Sequence, residues 1–321
     1  LETARRWLDG EIGGREARAL LRVSERQAWR IRAAVATAGE LGVLHGNTDR
    51  LAWNRTPDGL RERIIQLARK KYIGFNDHHL RDKLERVEKI QVSCSTVRRR
   101  LRAAGLASPR RRRPPKHRAR RERMGREGWM ILWDGSRHDW LEERGPLLCL
   151  MGALDDATGE VLPGAHFVDQ ECAAGYLQVL REIARHKGIP HLTYMDRHGS
   201  LHRNDENWTV EEQLQGEQLP THVGQALRDL DIGPIYALSP QAKGRVERLW
   251  GTLQDRLVSE LRLAKARTVH DANRVLPQYL PEHNTSFAVA PRESPPAWRP
   301  LLRHLAIARI CSRPSAANAC F

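Results

Sequence analysis

Trp129-Met130-Ile131-Leu132-Trp133-Asp134 is a short apolar run that closes on a carboxylate, and His191-Leu192-Thr193-Tyr194-Met195-Asp196 repeats the pattern further along the chain. Apolar runs of this length, bounded by Gly or Pro, read as buried strands. An Asp at the exit of a buried strand is costly unless it is solvated, paired or bound to a metal. Between the two runs lie Leu147-Leu148-Cys149-Leu150-Met151-Gly152-Ala153-Leu154, the turn Asp155-Asp156-Ala157-Thr158-Gly159, and Glu160 to Val168. These read as strand, turn and strand, so the first three strands form a meander, with Pro163 placing a bulge or an edge in the third. Glu171 to Lys187 then reads as a helix with apolar positions Tyr176, Leu177, Leu180 and Ile183, ended by Gly188 and Pro190.

A third acid lies in Ser239-Pro240-Gln241-Ala242-Lys243-Gly244-Arg245-Val246-Glu247-Arg248-Leu249-Trp250-Gly251-Thr252-Leu253-Gln254. Val246, Trp250, Leu253 and Leu257 form the apolar stripe of a half-buried helix. Glu247 stands beside that stripe, one turn after Lys243, and Gly244 leaves the backbone between them bare. The element order is β-β-β-α-β-α-β-α, with acids on the first strand, the fourth strand and the last helix. Each acid alone has a plainer reading. Asp134-Gly135 is a common turn pair, Asp196 could be a solvated loop acid, and Glu247 could pair with Lys243 or Arg248 on the surface. Asp155 and Asp156 lie in a hairpin turn, where Asp is favoured for backbone reasons, and they are set aside as candidates, as are Asp205 and Glu206 in a polar stretch.

The order and the acids together resemble the RNase H-like core shared by DDE transposases and retroviral integrases, and within it the integrase-like insertion-sequence transposases of the ISNCY group. The resembling segments are Gly74-Phe75-Asn76-Asp77-His78-His79-Leu80, Trp133-Asp134-Gly135-Ser136, Ala153 to Gly159, Met195-Asp196-Arg197-His198-Gly199, Ser239 to Arg248, and Tyr279-Leu280-Pro281-Glu282-His283-Asn284. The resemblance implies an α/β fold: a mixed five-stranded sheet with flanking helices, preceded by all-α helix-turn-helix modules. It implies that Asp134, Asp196 and Glu247 are the DDE triad and hold two Mg²⁺ ions, with Mn²⁺ as a substitute. Three hard oxygen donors suit such ions, and a metal pair serves both the attacking and the leaving oxygen of phosphodiester transfer. The implied activity is that of a transposase that binds terminal inverted repeats, cleaves a DNA strand and joins its 3′-OH to target DNA. Its partners would be double-stranded DNA, at element ends and target, and further copies of itself. The longer gap between Asp196 and Glu247 is assigned to a surface insertion, Ser200 to Pro220.

The charge agrees with a polyanionic partner: 54 Lys and Arg against 39 Asp and Glu give a net +15. Hydrophobic residues make up 40% of 321, enough for two or three packed domains. No apolar run reaches the length of a membrane span and no signal peptide is visible, so a cytoplasmic, nucleoid-associated protein is expected. Five scattered cysteines without a CxxC pair argue against a disulfide scaffold or a zinc site, and His78 and His79 read as structural or surface residues.

The expected organisation is a helix-turn-helix module over 1–46, a second over 47–107, a basic linker over 108–126, the catalytic core over 127–263 and a helical, Pro-rich segment over 264–321 that resembles a clipped end. In the first module Ser24 with Gln27 makes a capping-box start, with Ala28, Ile31 and Val35 inward and Arg26 and Arg30 outward toward a groove. In the second, Val97 and Leu101 face inward and Arg98, Arg99, Arg100 and Arg102 outward. The run from Arg110 to Arg126 has two prolines and no apolar period. It reads as a strap along phosphates, with Arg111 and Arg112 among the contacts, joined by Lys243 and Arg248 of the last helix. Two alternatives stand beside the transposase: a non-catalytic DNA-binding remnant or regulator, and an integrase-type nuclease of the same fold.

Overall fold

The computed structural model describes residues 1–44, 56–109, 121–203, 208–216, 218–237 and 244–301, and these divide into two compact units, Leu1–Arg61 and Glu62–Phe321. In the first unit, α1 (Glu2–Leu8), α2 (Gly14–Leu21) and α3 (Glu25–Ala38) close on Trp7, Ile12, Ala17 and Ala28. Arg22 adopts a left-handed conformation (φ 53°) at the end of α2, and the Ser24 side chain accepts from Gln27 N at 3.4 Å to start α3. The connection between α2 and α3 is thus set by one left-handed residue and one N-cap.

α4 (Asp58–Lys70) runs across the boundary into the second unit, followed by α5 (Asp77–Arg86) and α6 (Cys94–Ala103). Asn76 and Ser93 cap α5 and α6 through His79 N (2.9 Å) and Thr96 N (3.1 Å). This pair lies in the same compact unit as the sheet.

The sheet consists of β1 (Met130–His138), β2 (Leu148–Asp155), β3 (His166–Val168), β4 (Leu192–Met195) and β5 (Gly233–Tyr236), in the order β3-β2-β1-β4-β5. β1, β2 and β3 pair antiparallel, whereas β1–β4 and β4–β5 are parallel. The helices are α7 (Ala173–His186), α8 (Val210–Gln215), α9 (His222–Asp229), α10 (Gly244–Leu263) and α11 (Val269–Phe287). This is the RNase H-like arrangement that the sequence led us to expect.

Period-two alternation sorts the two faces. Ile131, Trp133 and Met195 pack with Tyr176 and Leu180 of α7 and Val223 and Leu227 of α9. Met130 and Leu132 pack with Val246, Trp250, Leu253 and Leu257 of α10 and with Leu276 and Tyr279 of α11. Because the strands are covered on both sides, they read as continuous apolar runs.

Four features differ from the sequence reading. Asp134 does not end its strand: β2 keeps pairing with β1 as far as His138↔Leu148, while β4 stops pairing at Leu132↔Tyr194. The third strand is only three residues long, because Pro163 has no N–H and Gly164 turns the chain at φ +92°; Val161 makes a lone bridge to Leu154. α11 continues through Pro277 and Pro281 to Phe287. Its Asn273 amide bonds both N and O of Phe167 (2.7 and 2.9 Å), and Asn284 does the same for Val161 (3.0 and 2.9 Å), sealing an edge that would otherwise present open backbone groups. Finally, Cys172 is disulfide-bonded, against the expectation from cysteine spacing, while Cys94 and Cys149 are free thiols.

α5 is joined to α10 and α11 by polar groups. Asn76 donates to Asp255 (2.8 Å), Arg256 to Asp82 (2.8 Å) and Arg86 to Glu282 (2.7 Å). Glu260 receives both His79 Nε2 (2.6 Å) and Lys83 Nζ (2.8 Å).

Candidate active site

The parallel register of β1 and β4 places the two aspartates. Leu132 is opposite Tyr194, the last pair that β1 makes with β4; Asp134 lies two residues further along β1 on the face that carries α10, and Asp196 lies two residues beyond Tyr194, just past the end of β4. Neighbouring strands are separated by about 4.8 Å. Asp196 follows the last residue of β4, and its Oδ1 accepts from His198 N at 3.0 Å, an Asx-type turn. Asp134 sits where β1 outruns β4, which leaves its carboxylate half-buried rather than sealed in the sheet.

α10 tracks β1 across that face. Trp250 Nε1 donates to Asp134 Oδ2 at 3.1 Å, and Gln254 reaches Ser136 Oγ at 3.2 Å. Gly152 pairs with Asp134 on β2 and faces the Trp250 indole: a Cβ there would lie 3.3 Å from Ala165 Cβ and 3.4 Å from the Trp250 ring. Glu247 is three residues before Trp250, on the same side of the helix, and exposed. Among the described residues, no three acidic, histidine or cysteine side chains are gathered closely enough to hold a metal ion as they stand. The acids share one sheet face and one helix without forming a closed ligand set.

A fourth acid borders this corner and was missed in the sequence. Glu171 precedes α7; its Oε1 accepts from the buried Tyr176 hydroxyl at 2.5 Å and lies 3.5 Å from His198 Nδ1. Its Oε2 occupies the space of a Gly135 Cβ, 2.5 Å from where that atom would stand. Burial and then the Glu171 carboxylate push the Tyr176 phenol far up, with Asp134 and Asp196 adding to the effect. Burial, then Glu171 and Asp134, push the Cys149 thiol up to about 12. Negative potential therefore collects at this end of the sheet. In sequence Glu171 looks like an ordinary acid at a helix start, so only the fold reveals its neighbours.

The acids set aside in the sequence have structural partners. Buried Asp155 accepts from Gly128 N (2.8 Å), Thr158 N (2.8 Å) and Thr158 Oγ1 (3.0 Å). Asp156 accepts from Arg121, Arg245 and Met124 N.

The basic candidates separate. Arg26 and Arg30 are exposed one turn apart on α3, as expected. On α6, Arg99 is exposed, whereas Arg98 (3.2 Å) and Arg102 (2.7 Å) engage the buried Asp77, and Arg100 is half-buried. Arg248 is exposed beside Glu247. Arg111, Arg112 and Lys243 lie outside the described residues, as does most of the basic linker.

No family model matches the chain. A chain of Sinorhizobium fredii named as a transposase, y4bF, is 34% identical over 303 residues, covering 94% of this chain and 64% of that protein, so the present chain spans under two thirds of that relative's length. The transposase for insertion sequence IS1202 of Streptococcus pneumoniae is 31% identical over 332 residues, covering 91% of this chain and 69% of that protein. Similar solved structures include a simian T-cell lymphotropic virus intasome in complex with a PP2A regulatory subunit (16% identity, 74% of this chain, 79% of that one, TM-score 0.38). Another is the catalytic core domain of BIV integrase (17% identity, 48% of this chain, 83% of that one, TM-score 0.32). Likeness at these TM-scores carries no weight for function. The sequence similarity, sustained over nine tenths of the chain, does: the chain belongs to the family of insertion-sequence transposases that includes that of IS1202.

Proposed function

We propose that the protein is a DDE transposase that cleaves DNA at the ends of its element and joins them to a target by 3′-OH attack. The observation that supports this reading is that Asp134 and Asp196 each follow by two residues the β1–β4 pair Leu132 and Tyr194, with Trp250 of α10 bonded to Asp134 one turn after Glu247. The donor set is carboxylate oxygen only, which fits a hard divalent cation such as Mg²⁺, with Mn²⁺ as substitute. Asp134, Asp196 and Glu247 would hold it. Bound there, two such ions would neutralise charge on the attacking and leaving oxygens.

The chain's own groups supply the rest. β1 carries Asp134, whose carboxylate the Trp250 N–H orients, and Asp196 follows the end of β4 in a turn closed by His198 N. Glu247 rides on a helix whose far half is tied to α5. No side chain acts as nucleophile: water, then the freed 3′-OH, attacks phosphorus. Arg26 and Arg30 on α3, Arg99 on α6 and Arg248 beside Glu247 are exposed and would meet phosphates, contacts that position DNA without reading sequence. Copies of the chain would assemble on paired element ends.

The test is a Mg²⁺-dependent strand-transfer assay on labelled DNA carrying the element's terminal repeats, with Glu247→Gln as control. Joined product that disappears in Glu247→Gln, with DNA binding retained, is the expected result. DNA binding without product from either protein would overturn the catalytic reading and leave a DNA-binding regulator.

A further inference from the structure

Asp156 is a turn residue by sequence, yet it is fully buried and its carboxylate has three partners from outside the turn. Oδ1 accepts from the guanidinium of Arg121 at 2.6 Å and from that of Arg245 at 2.5 Å. Oδ2 accepts from Met124 N at 2.8 Å, and Asp156 N donates to Met130 O at 3.0 Å. Arg245 also donates to the Arg121 carbonyl, and Arg121 lies over the Tyr194 ring at 5.9 Å. A turn needs none of this: the backbone preference of Asp is met by local bonds. A carboxylate taken wholly out of water requires compensation, and here it comes from two cations on different elements. One is at the segment leading into β1, the other in the first turn of α10, two residues before Glu247.

We infer that Asp156 is a positioning residue that couples the segment at Arg121 to the first turn of α10, so that the placement of Glu247 depends on how the chain entering the sheet is held. The catalytic consequence rests on reading Glu247 as a catalytic acid; the mechanical coupling does not. Arg121 is 40% exposed at its side chain and Arg245 only 14%, so the Arg121 arm is the one that solvent, or a phosphate, can compete for. Arg123, which donates to Ala157 O at 3.1 Å, belongs to the same corner. Loosening the Arg121 arm leaves the α10 arm tied to a carboxylate with one partner fewer, and the first turn of α10 gains freedom.

The experiment compares hydrogen exchange in wild type, Arg121→Met, Asp156→Asn and the double variant. The reporters are the amides of Arg248, Leu249, Trp250 and Gly251, the first in α10 with intrahelical acceptors. Arg121→Met is expected to speed their exchange roughly tenfold, the scale of one charge-assisted hydrogen bond, although Arg121 is not part of α10. Amides 131–136 of β1 should stay protected, which also shows that the variant folds. Asp156→Asn should do at least as much, and the double variant no more than Asp156→Asn alone. Wild-type exchange at 248–251 in Arg121→Met, or full additivity in the double variant, would overturn the coupling. In an active protein, Arg121→Met should lower kcat at saturating DNA by a larger factor than it raises KM; a pure KM effect would make Arg121 a DNA contact only and overturn the positioning role. Because hydrogen exchange needs no turnover, loss of the transposase reading would leave the coupling result standing.

Discussion

Replacing Glu260 by glutamine should release the helix pair α5–α6 from the core, and the structure sets the scale. The Glu260 carboxylate is about nine tenths buried and receives Lys83 Nζ at 2.8 Å and His79 Nε2 at 2.6 Å, with Lys83 itself 9% exposed at its side chain. Burial opposes the Glu260 charge, but the hydrogen bonds from His79 and Lys83 hold its carboxyl below the usual range. Removing one member of a buried pair costs about 3–5 kcal/mol because the other charge is stranded. Two features reduce that figure here. Glu282 stands 3.9 Å from Lys83 Nζ and offers a weaker partner, and the amide oxygen introduced by Glu260→Gln can still accept from His79. A loss of about 2–3 kcal/mol remains, or about 1 M in urea midpoint for a slope of about 3 kcal/mol/M. Adding Lys83→Met removes the stranded ammonium, so the double variant should regain at least about 1 kcal/mol. Urea unfolding followed by tryptophan fluorescence and by limited proteolysis between α5 and α6 reads both numbers. A Glu260→Gln midpoint within about 0.2 M of wild type, or strictly additive losses, would refute the idea that a buried charge pair holds α5 to α10.

Two further outcomes follow from the geometry. Asn284→Ala removes both bonds to Val161 N and O, stranding two edge groups; a loss of about 2 kcal/mol should appear as a lower thermal midpoint, whereas Asn284→Asp, which keeps only the acceptor, should fall between. Acid should also destabilise the fold before the carboxylates titrate. Burial, and then Arg256, push the His283 imidazole down to about 4 from about 6.5 in the unfolded chain, and burial lowers His79 and His166 as well. The unfolded state then binds more protons than the folded one, so stability is full above about pH 6.5 and falls as the pH drops toward 4, by about 3 kcal/mol for His283 alone. Urea midpoints at pH 7.5, 6 and 5 check this; His283→Leu should flatten the slope, and an unchanged slope would show that His283 binds protons equally in the folded and unfolded chain.

Much of the fold was legible because buried strands and half-buried helices leave periodic apolar marks that need no partner to be read. The runs ending at Asp134 and Asp196, and the stripe of Val246, Trp250, Leu253 and Leu257, named the elements and the acids. Strand ends were less legible, since β1 runs past its last pair with β4 for as long as β2 pairs with it, to His138, which is a property of β2 and not of β1. Arg98 and Arg102, two of the four arginines read as outward on α6, also pair with Asp77 at the start of the preceding helix, a contact that only the fold reveals.

By itself the sequence determined the element types, the surplus of positive charge and the three acids, because each depends on local spacing or composition. Tertiary structure alone decided which groups meet. It paired β1 with β4 at Leu132 and Tyr194, two residues before each aspartate, brought Trp250 onto Asp134, and drew Glu171 beneath Gly135. It also converted Asp156 from a turn acid into the meeting point of Arg121 and Arg245. The physical reason is the same in each case: a carboxylate's role is set by which donors share its desolvated volume, and those donors come from chain positions that only folding brings together.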